Sequence, residues 1–312
     1  MFCIVAFVVL SILGIFSATN RQLAREALDC VLRRVTFRPC TTGFDEKMKA
    51  KILGKVINYS QPVARFLNQY FEALAWTFFL LFLASSIFAV RGLYLFYTTG
   101  SCNGLNQAGF CVFDPTGANN QISAAVESCS VTPRTASNLT LNGVDMSSFP
   151  VLNPDSKDKI VFIGCYDCAY TRETYPIIMS LARHYNASVT FLHYPVKEST
   201  DYMSKVSYCA YQQDPSKYWA MNDAFFDTDK ATMDSSGFVK TTLTDLGYDY
   251  ATFQVCMNDP ATEKAVQNQL AQIDKTNFYG TPTVSIDGEW FVGPKPYRVY
   301  AIGLAGLLYW LK

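Results

Sequence analysis

Two cysteines separated by two residues form the pair in this sequence that is best suited to chemistry. Cys165 and Cys168 follow a short β-branched and aromatic run, Lys159–Gly164, and precede a stretch with helical spacing. A helix N-terminus presents unpaired N–H groups and a partial positive charge, which stabilise a thiolate. A thiolate attacks a disulfide, and a second thiol one turn later resolves the mixed disulfide. The spacing therefore predicts disulfide exchange, with Cys165 as the exposed nucleophile and Cys168 as the more buried resolving thiol.

The same spacing also occurs in half of a structural zinc site. Such a site needs two further ligands, but the sequence has no second Cys-x-x-Cys and has two histidines, His184 and His193. We therefore expect no metal at the cysteine pair. The sequence also lacks a P-loop, a dinucleotide glycine fingerprint and a Gly-x-Ser-x-Gly motif. We expect no dissociable cofactor and no nucleic-acid partner.

The elements around the cysteines follow the order of an α/β domain. Residues 159–164 and 187–193 have strand composition, residues 199–276 contain several helical stretches, and residues 283–292 form a hairpin that turns at Asp287-Gly288. Three segments of this region together resemble the DsbA-like family of thioredoxin-fold proteins. In chain order they are Pro150 to Asp155 with the strand and cysteine pair, Tyr208-Cys209-Ala210 with Lys217 to Phe226, and Tyr279 to Gly288.

The resemblance covers roughly residues 148–312 and implies a thioredoxin fold over residues 150–312, with a helical insertion at about 199–276. It implies that Pro282 is a cis proline facing the thiols, rather than an ordinary trans proline. It also implies that the backbone of Thr281 binds an extended substrate strand, and that Cys209 and Cys256 form a structural disulfide.

The dipeptide between the cysteines departs from the strongly oxidising members of that family. Those members have Pro-His at this place, whereas this sequence has Tyr166-Asp167. A cationic histidine lowers the pKa of a neighbouring thiol, whereas a carboxylate opposes the thiolate charge. We interpret Tyr166 and Asp167 as the residues that tune the redox couple, and we expect it to be less oxidising than the extreme members.

Two apolar runs near the N-terminus predict two transmembrane helices. Residues 2–19 have no charge, residues 73–90 are uncharged and their apolar character continues to residue 97, and ten basic residues lie in the segment 20–72. By the positive-inside rule that segment is cytoplasmic, and everything after about residue 98 lies outside. The spans are then residues 1–19 and 73–97. A cleaved signal peptide and a buried soluble helix remain the alternatives for the first and the second run.

The cytoplasmic segment contains a basic amphipathic helix between Phe44 and Ile57. It either lies on the inner leaflet of the bilayer or packs on a neighbouring helix. Charge separates the two parts of the chain: residues 1–99 carry 11 basic and 5 acidic side chains, a net of +6, and residues 100–312 carry 15 and 21, a net of −6.

Residues 98–149 are rich in Gly, Ser, Thr and Asn and form a linker module that contains three cysteines. An oxidising exterior favours disulfides, and Cys102 with Cys111 is the simplest pair, although Cys129 leaves three choices open. We expect Cys30 and Cys40 to be reduced thiols in the cytoplasm.

Together these features predict a membrane-anchored extracytoplasmic protein thiol–disulfide oxidoreductase. Its substrates would be cysteine-containing proteins, and a membrane redox partner, either a quinone-linked oxidase or an electron exporter, would reset it. Two alternatives remain. The chain could be a reductase or isomerase that receives electrons across the membrane, which Asp167 favours, or a binding and assembly module in which Cys165 and Cys168 form a structural disulfide.

Overall fold

The computed structural model describes residues 7, 9–11, 17–36, 38, 44–58, 60–124, 135–196 and 201–312. The chain divides into two compact units, residues 1–91 and 92–312. Most of the predicted first span, residues 2–19, lies outside the described residues, as do Cys3, Cys40 and Cys129.

The first unit contains two helices that pack on each other. Helix α1 spans Ala18–Val35 and helix α2 spans Phe44–Ile57. Ala24, Ala27 and Cys30 recur at helical spacing on α1 and are buried, and Met48 of α2 packs against them. Helix α2 is the basic helix for which the sequence leaves two interpretations, a position on the inner leaflet or packing on a neighbouring helix. The contact with α1 corresponds to the second.

Cys30 corrects one expectation from the sequence. It is disulfide-bonded, whereas we expected a reduced thiol. The sequence gives the predicted compartment of a cysteine but not the distance between two Cβ atoms, and that distance decides whether a bridge can form.

Helix α3 spans Gln61–Thr99 and contains the second predicted span. At 39 residues it is about 58 Å long, and its most apolar 18-residue window has no buried residue in the structure. Length and composition therefore allow it to cross a membrane. It is the one helix with these properties in the part of the chain that the structure describes, so two transmembrane helices are not shown.

The second unit is built on a five-stranded mixed sheet in the order β2-β4-β3-β6-β7. Strand β3 lies at its centre, parallel to β4 and antiparallel to β6. The strands of this sheet are β2 Val151–Leu152, β3 Lys159–Gly164, β4 Ser188–His193, β6 Thr283–Ile286 and β7 Glu289–Val292. A separate pair is formed by β1 Ser123–Ala124 and β5 Gly280–Thr281. The predicted hairpin turns at Asp287 and Gly288, which both have positive φ, as a tight turn of this kind requires.

Helix α4, Ala169–Tyr185, packs on the sheet through Ile178, Leu181 and other buried residues that meet Ile160 and Phe162 of β3. Six helices then form the insertion between β4 and β5: α5 Asp201–Gln213, α6 Pro215–Asp227, α7 Lys230–Met233, α8 Ser236–Asp245, α9 Tyr250–Asn258 and α10 Pro260–Asp274. Helix α11, Tyr297–Ala305, follows the sheet. This thioredoxin-like α/β arrangement is the predicted fold.

The helix boundaries of the insertion have local causes. Asp214 and Asp259 each cap a helix by accepting a backbone N–H hydrogen bond, and each precedes a proline at the first helical position. A disulfide joins Cys209 of α5 to Cys256 of α9, the pair that the resemblance implies.

The module before the domain contains the Cys102–Cys111 disulfide and packs on the sheet edge. The side chain of Asn106 donates to the carbonyl of Trp290 at 2.7 Å and accepts from the N–H of Val292 at 2.8 Å. Asn106 thus pairs with β7 as a neighbouring strand would. Residues 98–124 therefore belong to the same compact unit as the thioredoxin domain.

Candidate redox site

Cys165 and Cys168 lie in the turn between β3 and α4. The N–H of Cys168 donates to the carbonyl of Cys165 at 3.1 Å, and Cys168 is the N-cap residue of α4. Gly164 is the last residue of β3, and a Cβ there would lie 2.6 Å from the side chain of Thr171, so a larger residue does not fit at this position. Neither cysteine is in a disulfide. The two thiols are thus held one helical turn apart at the positive end of α4.

The exposure of the thiols differs from the prediction. Cys165 is 0% exposed and Cys168 is 2% exposed, so neither is the accessible nucleophile that the spacing suggested. Part of the cause is strand β1: the Oγ of Ser123 lies 3.1 Å from the Sγ of Cys168. Ser123 belongs to the module that we expected to be a linker.

The Thr281–Pro282 peptide bond is cis, as the resemblance implies. The carbonyl of Thr281 accepts a hydrogen bond from the Sγ of Cys168 at 3.4 Å, so the loop lies against the second thiol. The backbone of Thr281 is not open to an extended substrate in this structure, because β5 pairs with β1, in the register Ser123 to Thr281 and Ala124 to Gly280.

The surroundings of Cys168 shift the pKa of its thiol. Burial raises the pKa, but hydrogen bonds with Ser123 and with Thr171 lower it, and the net result is a pKa below the ordinary value for cysteine. A lowered pKa favours the thiolate, which is the reactive form in disulfide exchange. The spacing in the sequence predicts this property for Cys165.

The side chain of Tyr166 points into the core of the domain and not toward its surface. It is fully buried, and its ring stacks on His193 with centroids 4.6 Å apart. Its hydroxyl donates to the Oδ1 of Asn222 at 2.5 Å, and burial raises its pKa. Burial lowers the pKa of His193 to about 3. The Nδ1 of His193 contacts the Oγ of Ser204 at 3.0 Å. Tyr166 therefore connects the turn of the cysteines to the insertion helices through Asn222 of α6.

Asp167 is half-buried among cations. The Nζ of Lys230 lies 4.0 Å from its carboxylate, and Arg172 attracts Asp167 electrostatically. The Arg172 side chain also donates to the carbonyl oxygens of Tyr166, Phe225, Phe226 and Thr228. The carboxylate that was predicted to oppose a thiolate is thus accompanied by two positive charges, which offset its effect on the cysteines.

Sequence reasoning missed Ser123, Thr171, Arg172 and His193 as residues of this site. Thr171 and Arg172 could have been found from their positions, three and four residues after Cys168 on the same helix. No local signal marks Ser123, because it reaches the site through a pairing between distant segments.

Comparison with known proteins agrees with this architecture. Residues 172–302 match the model of the DSBA-like thioredoxin domain, a range that starts after the cysteine pair and includes Pro282. No curated protein matches the chain.

Three solved structures illustrate the similarity. A thioredoxin-like oxidoreductase from Silicibacter pomeroyi DSS-3 is 22% identical, with 50% of this chain and 90% of that chain covered and a TM-score of 0.45. The thiol-disulfide exchange protein alpha-DsbA2 from Wolbachia pipientis is 20% identical, with coverage of 52% and 88% and a TM-score of 0.46. BdbD from Bacillus subtilis in its oxidised form is 16% identical, with coverage of 50% and 89% and a TM-score of 0.43. Residues 172–302 of this chain are thus similar to the DSBA-like thioredoxin domain.

Proposed function

We propose that this protein is a membrane-anchored, extracytoplasmic thiol–disulfide oxidoreductase that exchanges disulfides in proteins through Cys165 and Cys168. The observation that carries the proposal is the position of both thiols at the start of α4, with the Sγ of Cys168 3.4 Å from the carbonyl of Thr281, which precedes the cis proline Pro282. Reactive thiols and a strand-binding backbone edge thus meet at one place. Both are needed to act on a disulfide in an extended chain.

The exchange needs two steps. The Cys165 thiolate attacks one sulfur of a substrate disulfide, which forms a mixed disulfide and releases the other substrate sulfur as a thiolate. The Cys168 thiolate then attacks the sulfur of Cys165, which gives the Cys165–Cys168 disulfide and a second substrate thiolate. Two electrons pass from the enzyme to the substrate, and the reverse sequence oxidises a substrate dithiol.

Repeated turnover requires a redox partner that restores the cysteine pair. A membrane quinone-linked oxidase would take two electrons from the pair, and an electron-exporting membrane protein would supply them. The apolar helix α3 supports a location in the membrane next to such a partner. Because α3 ends at Thr99, directly before the second unit's disulfide module, the redox domain would follow the span on the extracytoplasmic side.

Single-cysteine variants of the full chain test the proposed roles. Cys168→Ser leaves the attacking thiol without a resolving thiol, so we expect mixed disulfides with substrate proteins to accumulate on Cys165. Cys165→Ser should accumulate few. The double variant Cys102→Ser and Cys111→Ser serves as a control for thiol number at a disulfide outside the site. Trapping on Cys168 in the Cys165→Ser variant would reverse the roles, and no trapping in either variant would favour a structural module.

A further inference from the structure

The edge of the domain proposed to bind substrates already carries a strand of this chain. Strand β1 pairs antiparallel with β5, so the backbone of Ser123 lies opposite Thr281, next to the cis proline. An extended substrate that pairs with Thr281 would need the same backbone groups. Ser123 also places its hydroxyl 3.1 Å from the Sγ of Cys168, so the strand contacts one of the two thiols directly.

The fit between β1 and β5 is close. A Cβ atom on Gly280 would lie 2.6 Å from the Cδ1 of Ile122 and 2.9 Å from the carbonyl of Ser123. Real Cβ atoms do not approach other atoms so closely, so residue 280 must be glycine for β1 to lie here. Ile122 adds side-chain packing, because it contacts the core cluster that contains Ile163 and Phe278.

A buried lysine holds the chain that leads into β1. Lys295 is 2% exposed, and its Nζ donates to the carbonyl of Asn119 and to the Oδ1 of Asn120, each at 2.5 Å. Gly293 allows the same segment to approach, since a Cβ there would lie 2.8 Å from the carbonyl of Gln121. These contacts fix residues 119–121, so the strand that follows is delivered to the site at a high effective concentration.

We propose that residues 122–124, the covering strand, occupy the substrate-binding edge of the thioredoxin domain and that a substrate must displace them to reach the thiols. The inference rests on the proposed function, because it takes Gly280 and Thr281 as the substrate edge. A substrate then binds only those molecules in which the edge is open. Its apparent affinity is therefore its intrinsic affinity multiplied by the fraction of molecules with an open edge. Ser123 is then a contact of the resting site that leaves with the strand.

The rate at which iodoacetamide alkylates Cys168 tests this arrangement without any substrate. The full reduced chain is sampled over time, and mass spectrometry of the peptide that contains Cys168 gives the rate. Ile122→Ser weakens the packing of the covering strand, and we expect alkylation to be about tenfold faster than in the wild type. Leu141→Ser is the matched control: Leu141 packs partly buried against the same core cluster but lies outside the strand, so its rate should stay within about twofold.

A second matched pair acts through the backbone. Gly280→Ala places a methyl group where Ile122 and Ser123 lie, so the covering strand must move and alkylation of Cys168 must become faster. Gly237→Ala is its control, because a Cβ at Gly237 meets no atom within 4 Å. Faster alkylation in either test variant, relative to its control, supports the covering strand. Rates equal to the controls in both overturn it.

These results are separable from the proposed function. If Cys168→Ser accumulates no mixed disulfides while Ile122→Ser and Gly280→Ala expose Cys168, the proposed exchange activity is wrong and the strand still covers the thiol. If mixed disulfides accumulate but neither variant changes alkylation, the activity stands and the covering strand is wrong.

Discussion

The ring of His193 is buried beneath the turn of the cysteines, where it stacks on Tyr166. Burial lowers its pKa to about 3, and its Nε2 has no hydrogen-bond partner in the structure. The folded protein therefore favours the neutral form of the His193 imidazole. Because the unfolded chain binds a proton on this histidine below about pH 6.5 and the folded chain does not, the folded state loses stability as the pH falls from about 6.5 toward 3.

Stability measurements at mildly acidic pH test this assignment. Between about pH 6.5 and pH 5, His193 should lower the free energy of unfolding by about 2 kcal/mol, a range in which most carboxylates do not titrate. His193→Gln removes the titrating group, so its melting temperature should depend less on pH over this range. His184→Gln, which changes the other and exposed histidine, should keep the wild-type slope. Equal slopes in all three proteins would contradict the prediction.

At the residue scale the sequence was informative wherever a role depends on neighbours in the chain. The cysteine pair and Pro282 could be found because each sits in a short recognisable segment. The structure shows in addition that some contacts of Cys168 come from residues far away, such as Ser123, 45 positions earlier. For Asp167 the sequence showed the carboxylate but not that Arg172 and Lys230 lie beside it in the fold.

At the element scale, one side chain of α4 joins the turn that contains Cys165 and Cys168 to the end of α6. Arg172 of α4 donates to the carbonyls of Tyr166 in the turn, of Phe225 and Phe226 in α6, and of Thr228 after it. A planar guanidinium can satisfy several carbonyl oxygens at once, because its five N–H groups point in fixed directions. This set of hydrogen bonds holds the turn of the cysteines against the insertion.

Substitution of Arg172 should therefore cost more stability than substitution of an exposed arginine on the same helix. Arg172→Met leaves these carbonyls without their donor and should destabilise the domain by about 3 kcal/mol. Arg172→Lys should recover part of that loss, since an ammonium group reaches fewer of the acceptors. Arg183→Met, which removes a surface ion pair with Asp223, should cost less than about 1 kcal/mol. Thermal unfolding of the three variants checks this order, and equal shifts for Arg172→Met and Arg183→Met would refute it.

At the element scale, local signals account for most of what could be predicted. Strand β3 has the predicted bounds, and the insertion helices break at Asp214-Pro215 and Asp259-Pro260 because those dipeptides end one helix and cap the next. Strands β1 and β5 were missed. Each has two residues and is defined by its pairing with a distant partner rather than by a periodic pattern.

At the scale of the whole molecule, helix α3 and the two disulfides are the features that bear on the membrane location of the redox domain. Helix α3 is apolar along most of its length and its side chains are largely exposed, as those of a lipid-facing helix would be. The disulfides Cys102–Cys111 and Cys209–Cys256 suit an oxidising exterior. Composition and charge predict this organisation, and α3 is the one helix in the described part of the chain that is long and apolar enough to span a membrane; most of residues 1–16 fall outside what the structure describes.

Charged substitutions in α3 test the proposed location. In sealed cells an added protease should digest the wild-type redox domain, because the proposed topology places this domain outside. The double variant Leu81→Arg and Leu83→Arg places two charges in the middle of the apolar stretch, at a cost of about 2.5 to 3.5 kcal/mol each in a membrane, so its domain should stay inside and protected. Val63→Arg, near the start of the helix, should behave as the wild type. Protection of the wild-type domain would contradict the proposed topology.

The central claim is that Cys165 and Cys168 form a reversible redox couple, and a redox titration tests it most directly. The full chain is equilibrated in glutathione buffers, its thiols are trapped, and the state of both cysteines is mapped by mass spectrometry. We expect a reversible Cys165–Cys168 disulfide with a potential below the about −120 mV of DsbA, because the dipeptide Tyr166-Asp167 lacks a cationic histidine. Within that range, a value above about −200 mV would indicate an oxidant or isomerase, and one below about −250 mV a reductase. A potential near −120 mV would contradict this expectation, and a pair that never forms a disulfide, or that cannot be reduced, would contradict the exchange activity itself.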